Sequence, residues 1–340
     1  MRPFGISIAR KLAEDFRGWR AQVGVRHLWG PRNVTLAPSD VVAVCLVRNG
    51  AAHVESFLKR HFALGVRHVV LLDNGSDDLT VRLARQFDRV TVLQTFLPYG
   101  KYKYVLKRYL FDQFAGDGWC LILDIDERFD FPMSDRVSFA DFIAYLNQEG
   151  HTAVVAQMLD LFADGPLSTW PVGGHDLITR CTYYDNSGLA KRPYPQGQGN
   201  QVANPAILLH GGGIRKSVFG ITVSLSKHPL LYKAAGARPS YYNSHDCYNA
   251  KVADISCVLF HYMFDRHFPK KCILAVRRGN YYRSSQEYTA YLRRLEGEPD
   301  LTLKRHTSEE LRELNQLIET GFLVVSEPYR GFVRTVTREA

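Results

Sequence analysis

The segment Leu121-Ile122-Leu123-Asp124-Ile125-Asp126-Glu127 delivers three carboxylates directly after an apolar run. Carboxylates packed this closely repel one another and resist ionisation unless a cation neutralises them. Their oxygens suit a hard divalent ion, and Mg2+ or Mn2+ typically shares such ligands with substrate phosphates. In an extended strand Asp124 and Asp126 point the same way and Ile125 points opposite. A solvated acidic turn capping a strand would use the same residues, and an Asp-x-Asp triplet alone does not separate the two. A second acidic loop, Asp73-Asn74-Gly75-Ser76-Asp77-Asp78, follows another apolar run at 69–72. It is also a good turn sequence. Two such loops together favour a site.

The segments flanking these loops have the patterns of elements that would hold them. Val41–Val47 is a continuous β-branched apolar run, the pattern of a strand buried on both faces. Helical spacing of Val54, Phe57, Leu58, His61 and Phe62 predicts a helix over 54–64 that stops at Gly65. Strands are expected at 69–72, 90–93 and 120–125, with helices at 79–87 and 102–114 between them. Strands alternating with helices imply an α/β fold whose mainly parallel central sheet carries helices on both faces. Ligands of such sheets bind beyond the carboxyl ends of the strands, where both acidic loops fall.

Beyond residue 150 the pattern is less regular. A helix is expected at 138–146, strands at 153–161 and 255–260, and helices at 286–296 and 308–321. The stretch 166–239, rich in Gly, Pro, Tyr and Asn, reads as long ordered loops over a cleft. The chain divides into a basic segment 1–38, a nucleotide-binding half 39–150, an acceptor half 151–326 in the same catalytic domain, and a tail 327–340.

In order, the segments VVAVCLVRNGAAHVESFLKRHFALGVRHVVLLDNGSDD, WCLILDIDERFDFP, MLDLFADGPL, ADISCVLFHYMF and RRGNYYRSSQEYTAYLRRL resemble family-2-like glycosyltransferases of the GT-A fold, in a bacterial branch. The resemblance runs from about Val41 to Ser326. It implies sugar transfer from a nucleotide-sugar donor, assisted by Mn2+ or Mg2+. By that likeness Asp73 contacts the donor's base or ribose, Asp124 lies near the ribose, Asp126 binds the metal and Glu127 is its acidic neighbour. Many relatives carry a second Asp where this chain has Asn74. His261, after Cys257-Val258-Leu259-Phe260, is similar to a late histidine that completes the metal shell. A strand-end histidine is otherwise simply half-buried and hydrogen-bonded. The implied pathway is a bacterial surface or exported glycan, with a glycan or lipid-linked acceptor and inversion at the anomeric carbon.

Inversion needs a base for the acceptor hydroxyl. Asp160 and Asp164 in MLDLFADGPL and Asp246 are the candidates, each of which could equally be a loop carboxylate; Asp160 is preferred because its motif belongs to the family pattern. The leaving diphosphate needs positive charge. Lys227, His228, Arg192, Arg277 and Arg278 could supply it, and Arg48 joins Asp73, Asn74, Asp124 and Lys227 as a candidate donor contact. Gly211-Gly212-Gly213 lacks the spacing of a phosphate loop and reads as a turn.

Composition sets the outer bounds. With 46% hydrophobic residues and no low-complexity block, the 340-residue chain can bury a full core. A net charge of +9 suits an anionic membrane, a phosphorylated substrate or nucleic acid. Acidic rims argue against nucleic acid, and the loop at 48–53 lacks the Gly- and Lys-rich character of a nucleotidyl- or phosphotransferase, the two competing classes. Six scattered cysteines without a CxxC pair predict a reducing compartment and no structural zinc. No apolar run approaches the length of a membrane span. Phe4, Ile6, Ile8, Leu12, Phe16 and Trp19 alternate with Arg2, Arg10, Lys11, Arg17 and Arg20, compatible with a basic helix on a membrane surface. The expected location is cytoplasmic, peripheral to the inner face of the cell membrane.

Overall fold

The computed structural model describes residues 8–339 except 196, 241, 242, 244, 280 and 281, with the side chains of 8–11, 282–285 and 339 also left out. Arg2, Phe4, Ile6 and Ser244 therefore lie outside the described residues, as do the side chains of Ile8, Arg10, Lys11 and Arg283. The architecture is α/β, built on one large sheet. Its strands are β1 (Val25–Trp29), β2 (Val41–Val47), β3 (His68–Asp73), β4 (Val90–Thr95), β5 (Trp119–Leu123), β6 (Glu127–Asp130), β7 (Ala153–Asp160), β8 (Gln201–Val202), β9 (Ser226–Tyr232) and β10 (Lys251–His261). They lie in the order β1-β4-β3-β2-β5-β9-β7-β10-β8, with β6 paired to the end of β10. Among the described residues β1, β6 and β9 run against the other seven, so the sheet is mainly parallel.

The continuous apolar run of β2 reflects burial on both faces. Val41, Ala43, Cys45 and Val47 pack toward Phe57 and Leu58 of the helix Ala51–Leu64 and Phe142 of the helix Phe139–Gln148. Val42, Val44 and Leu46 face Leu106 and Leu110 of the helix Tyr99–Phe114. Gly65 ends its helix at φ 117°, a left-handed conformation costly to any residue with a Cβ, and its N–H returns to the carbonyls of His61 and Phe62. Ser138 caps the next helix through a reciprocal box with Asp141.

Several segments differ from the sequence expectation, among them the tail 327–340, where Glu327–Glu339 form a helix that buries Tyr329 and Val333. Residues 166–239 are not loops throughout: they include β9, which is buried and inserted antiparallel between β5 and β7. Its sequence, Ser-Lys-His-Pro-Leu-Leu-Tyr, hides a strand because Pro229 and two basic residues interrupt the apolar pattern. Val25–Trp29 leaves the N-terminal segment to become the sheet's antiparallel edge. The helix expected at 308–321 shrinks to Asn315–Glu319, because the backbone of Glu309 and Glu310 pairs with Tyr183 and Tyr184 instead.

The helix Ile8–Gly24 buries Ala21 and packs against the helix Tyr99–Phe114. Leu12, Phe16, Trp19 and Val23 lie on its opposite side, each more than half exposed. Among the described residues no helix is long and apolar enough to cross a membrane.

Several buried histidines tie stability to pH. His61 is fully buried, and burial lowers it to about 3. Its Nε2 accepts the Phe129 N–H at 3.4 Å, so its Nδ1–H donates to the Phe57 carbonyl at 2.8 Å. Burial likewise lowers His210 to about 3 and His68 to about 4. Each folded value lies below the ordinary 6.5, so the unfolded chain takes up more protons as the medium acidifies. The stability of the neutral forms is complete above that value and is lost on descent toward 4 and below. The thermal unfolding midpoint should therefore fall steadily from pH 6.5 to 4, and His61→Gln should flatten that slope; an equal slope would remove His61 as a cause.

Candidate active site at the sheet rim

The strand β5 stops at Leu123, and residues 124–126 form a turn closed by the Glu127 N–H on the Asp124 carbonyl at 3.0 Å. The chain then reverses into β6. The alternation expected for an extended strand does not apply here, and the carboxylates diverge. Asp124 accepts Lys107 Nζ at 2.6 Å and Lys227 Nζ at 2.8 Å. Burial would raise its carboxyl, but the two ammoniums override that and hold it well below the usual range. Glu127 is fully buried; one oxygen accepts the Asp124 N–H at 2.9 Å and the other accepts Lys227 Nζ. Lys227 reaches them because β9 pairs Leu230 with Leu121, so continuing antiparallel carries Lys227 alongside Asp124. The register shift between Lys227 and Leu230 coincides with Pro229, which has no N–H for the ladder.

Asp126 turns toward a different group. Its carboxylate lies 3.7 Å from His261 Nε2 and 3.8 Å from Lys271 Nζ. Burial opposes its ionisation, and His261 outweighs burial, leaving it well below the usual range. In register, the end of β10 sets His261 between Glu127 of β6 and Asp160 of β7. His261 Nδ1 bonds Asp160 Oδ1 at 2.6 Å. Asp160 also accepts Arg215 through two oxygens at 2.7 Å each. Burial would lower His261, but Asp126 and Asp160 lift it to about 9. The helix Ile214–Phe219 carries Arg215 into place from the turn at Gly212 and Gly213, both at positive φ. A Cβ on Gly212 would stand 2.4 Å from the Gly188 carbonyl oxygen, so this turn is a backbone contact and not a phosphate loop.

The acidic loop after β3 is knitted to its surroundings. Buried Asp73 accepts the Ser76 N–H at 3.1 and 3.2 Å and Gln94 Nε2 at 2.8 Å. Asn74 donates to the carbonyls of Leu97 at 2.9 Å and Thr95 at 3.3 Å. Asn49, beside the exposed Arg48, bonds Asp77 in both directions. Asp246 is half-buried, holds Asn243 Nδ2 at 2.6 Å and lines a small cleft with Tyr104, Lys107, Lys227 and His228. Asp164 stands apart, exposed and paired with Lys304.

The structure thus brings Asp124, Glu127 and Lys227 into one cluster and Asp126, His261 and Asp160 into an adjoining one. Asp124 and Glu127 do not fit a cation, because Lys107, Lys227 and the Asp124 N–H already occupy their oxygens. Asp126 and His261 are the pair that could hold one once His261 gives up its Nε2 proton: Nδ1 is fixed by a carboxylate, the outer arrangement that orients a metal-bound histidine, and Nε2 faces Asp126. Among the described residues no three His, Cys, Asp or Glu side chains converge as a cage. Two protein ligands are enough where substrate phosphates complete the shell. Lys107 and Arg215 carry no sequence signal of these contacts, since one is among several lysines of its helix and the other follows an irregular glycine run.

No family model matches the chain, and no curated protein matches it. Among solved structures it is similar to TarS of S. aureus, at 15% identity and a TM-score of 0.29 over 37% of this chain and 24% of that one. It is similar at 22% identity and a TM-score of 0.29 to a mannosyltransferase from Pyrobaculum calidifontis in complex with GDP-Man and Mn2+, over 44% of this chain and 46% of that one. A 4-diphosphocytidyl-2C-methyl-D-erythritol synthase matches at 14% identity and a TM-score of 0.25, over 59% of this chain and 76% of that one. The chain thus spans less than half of the first two.

The Lys227 ammonium is the counter-charge that lets Glu127 stay buried. Lys227→Met should cost about 3–5 kcal/mol in denaturant unfolding, since one charge of a buried pair is left alone. Adding Glu127→Gln should recover part of that loss; a double variant no more stable than the single one would show that the pair is not coupled.

Proposed function

We propose that the protein is a glycosyltransferase moving a sugar from a nucleotide-sugar donor to a glycan or lipid-linked acceptor, with inversion, in synthesis of a bacterial surface or exported polysaccharide. The observation that carries this reading is the convergence of the β5–β6 turn, β7 and β10, which sets Asp126 and His261 beside Asp124, Lys107 and Lys227. A rim with carboxylates and ammoniums side by side can take both halves of such a donor. Asp124 is one-third exposed and can accept ribose hydroxyls. Lys107, at the cleft, can meet the diphosphate once a hydroxyl replaces it at Asp124. Mn2+ or Mg2+, held by Asp126 and His261, would neutralise the departing diphosphate when bound.

Asp160 suits a positioning role better than that of base. Burial would raise it, but Arg215 and His261 hold it well below the usual carboxylate range, which leaves little affinity for a proton. Asp246 opens onto the cleft beside Lys107 and Lys227 and is the better-placed base. Asp73 and Asn74 shape the rim of the nucleotide side.

The exposed stripe of Leu12, Phe16, Trp19 and Val23 supports work at a lipid surface, because four large apolar side chains share one helix face. The chain's net charge of +9 favours an anionic one.

Two measurements test this reading. UDP-, GDP- and CMP-sugars should be screened for thermal stabilisation with and without Mn2+; one should raise the midpoint in a metal-dependent way, and Asp126→Asn should abolish both that shift and sugar release while keeping its own unfolding cooperative. Release of pyrophosphate in place of a nucleoside diphosphate would identify a nucleotidyltransferase. Separately, Phe16→Ser with Trp19→Ser should lower co-sedimentation with anionic vesicles by about tenfold or more, from the apolar area withdrawn. Unchanged sedimentation would remove the helix from the membrane contact.

A further inference from the structure

A cavity of about 650 Å3 opens behind the rim, between the helices Ala51–Leu64 and Gly174–Arg180. Ser56, Lys59, Arg60, Arg128, His175 and Tyr262 are among its lining residues. Its volume lies in the range of small-ligand sites and exceeds what a lone phosphate fills. The side chain that stands out is Arg128, only 2% exposed. Its Nη1 donates to the carbonyls of Ile125 and Glu127, both at 2.9 Å. Its Nη2 donates to Ser56 Oγ at 2.8 Å and, at 3.4 Å, to the His53 carbonyl. Its Nε is buried without any partner.

Neutral carbonyls, a hydroxyl and the Phe57 ring, 5.3 Å from the guanidinium carbon, are the direct contacts of Arg128, and the Asp126 carboxylate acts on it only from beyond ion-pair distance. Among the described residues no carboxylate pairs with it. The other two cations of the lining are already matched, Arg60 by Asp130 at 2.5 Å and Lys59 by Glu55 at 2.6 Å. Burying an unpaired charge is costly, and the cost is offset when a counter-ion enters the same space. The Nη groups are already engaged, so Arg128 meets an entering oxyanion through its charge and its remaining Nε–H, and Lys59 and His175 stand at the accessible end of the cavity as further nitrogen partners, beside Glu55.

We propose that this cavity binds an oxyanion, the phosphate or carboxylate of a sugar-sized ligand, with Arg128 as its buried counter-charge. The same guanidinium holds the turn at 125–127, and the Tyr262 N–H holds the Asp126 carbonyl at 2.9 Å, so the cavity wall is the back of the metal-side cluster. That the ligand is the acceptor rests on the glycosyl-transfer reading; the binding of the anion does not.

Calorimetric titration of the full chain with glucose 1-phosphate, glucuronate and glucose tests it. At least one anion should bind, with glucose at least tenfold weaker, and the stronger anion identifies phosphate or carboxylate as the group held. Lys59→Gln and His175→Gln, both on the exposed wall, should each weaken that anion several-fold, and Arg128→Lys at least tenfold. Anion binding no stronger than that of glucose, or binding indifferent to all three lining variants, would overturn the proposal. If the anion binds in this pattern while no nucleotide sugar stabilises the protein, the glycosyl-transfer reading alone fails.

Discussion

The Lys227 ammonium, shared between Asp124 and Glu127, is the interaction on which the rim depends. It joins β9 to the turn after β5 across the middle of the sheet, where apolar packing gives way to charge. Glu127 has no exposure to water, so its charge is tolerable only because Lys227 and the Asp124 N–H complete its coordination. With Glu127 fixed, the turn has one shape, and Asp126 is delivered to the far side toward His261. Two charge clusters of different composition arise from one short acidic sequence.

The second cluster follows a similar economy of parts. His261 gains its orientation from Asp160, and Asp160 gains its own from a two-point contact with Arg215. This chain of contacts reaches Glu287, 3.3 Å from Arg215, and through it Tyr291 in the helix Tyr282–Gly297. A distant helix therefore takes part in setting the ring plane of a rim histidine. Such supporting contacts commonly matter nearly as much as the ligands they orient.

Much of the frame was legible from residue pattern. The bounds of β2 follow from seven consecutive apolar residues, and the stop at Gly65 follows from its tolerance of left-handed backbone. The carboxylates at 124–127 and His261 also announce a rim, because each ends an apolar run. Their partners were not legible, since pairing across 100 residues leaves no local trace: Lys227 sits in a strand that its own proline and charges disguise. Nor does the spacing of Asp124 and Asp126 reveal that the strand ends before them. Whether period two applies is decided by the Glu127 hydrogen bonds, not by the residues that alternate.

The insertion of β9 between β5 and β7 also bears on the order in which the sheet can be completed. Strands β2 to β5 come from one continuous stretch and pair through short crossovers, but β5 acquires its outer neighbour only from residues 230–232. During synthesis its free backbone edge must persist while more than a hundred further residues emerge. An unpaired edge of apolar strand is a template for unwanted pairing with other chains. Pro229, at the register shift, also removes one N–H from this late-arriving strand, and β10, later still, must then pair with β6, β7 and β8 on the sheet's other side.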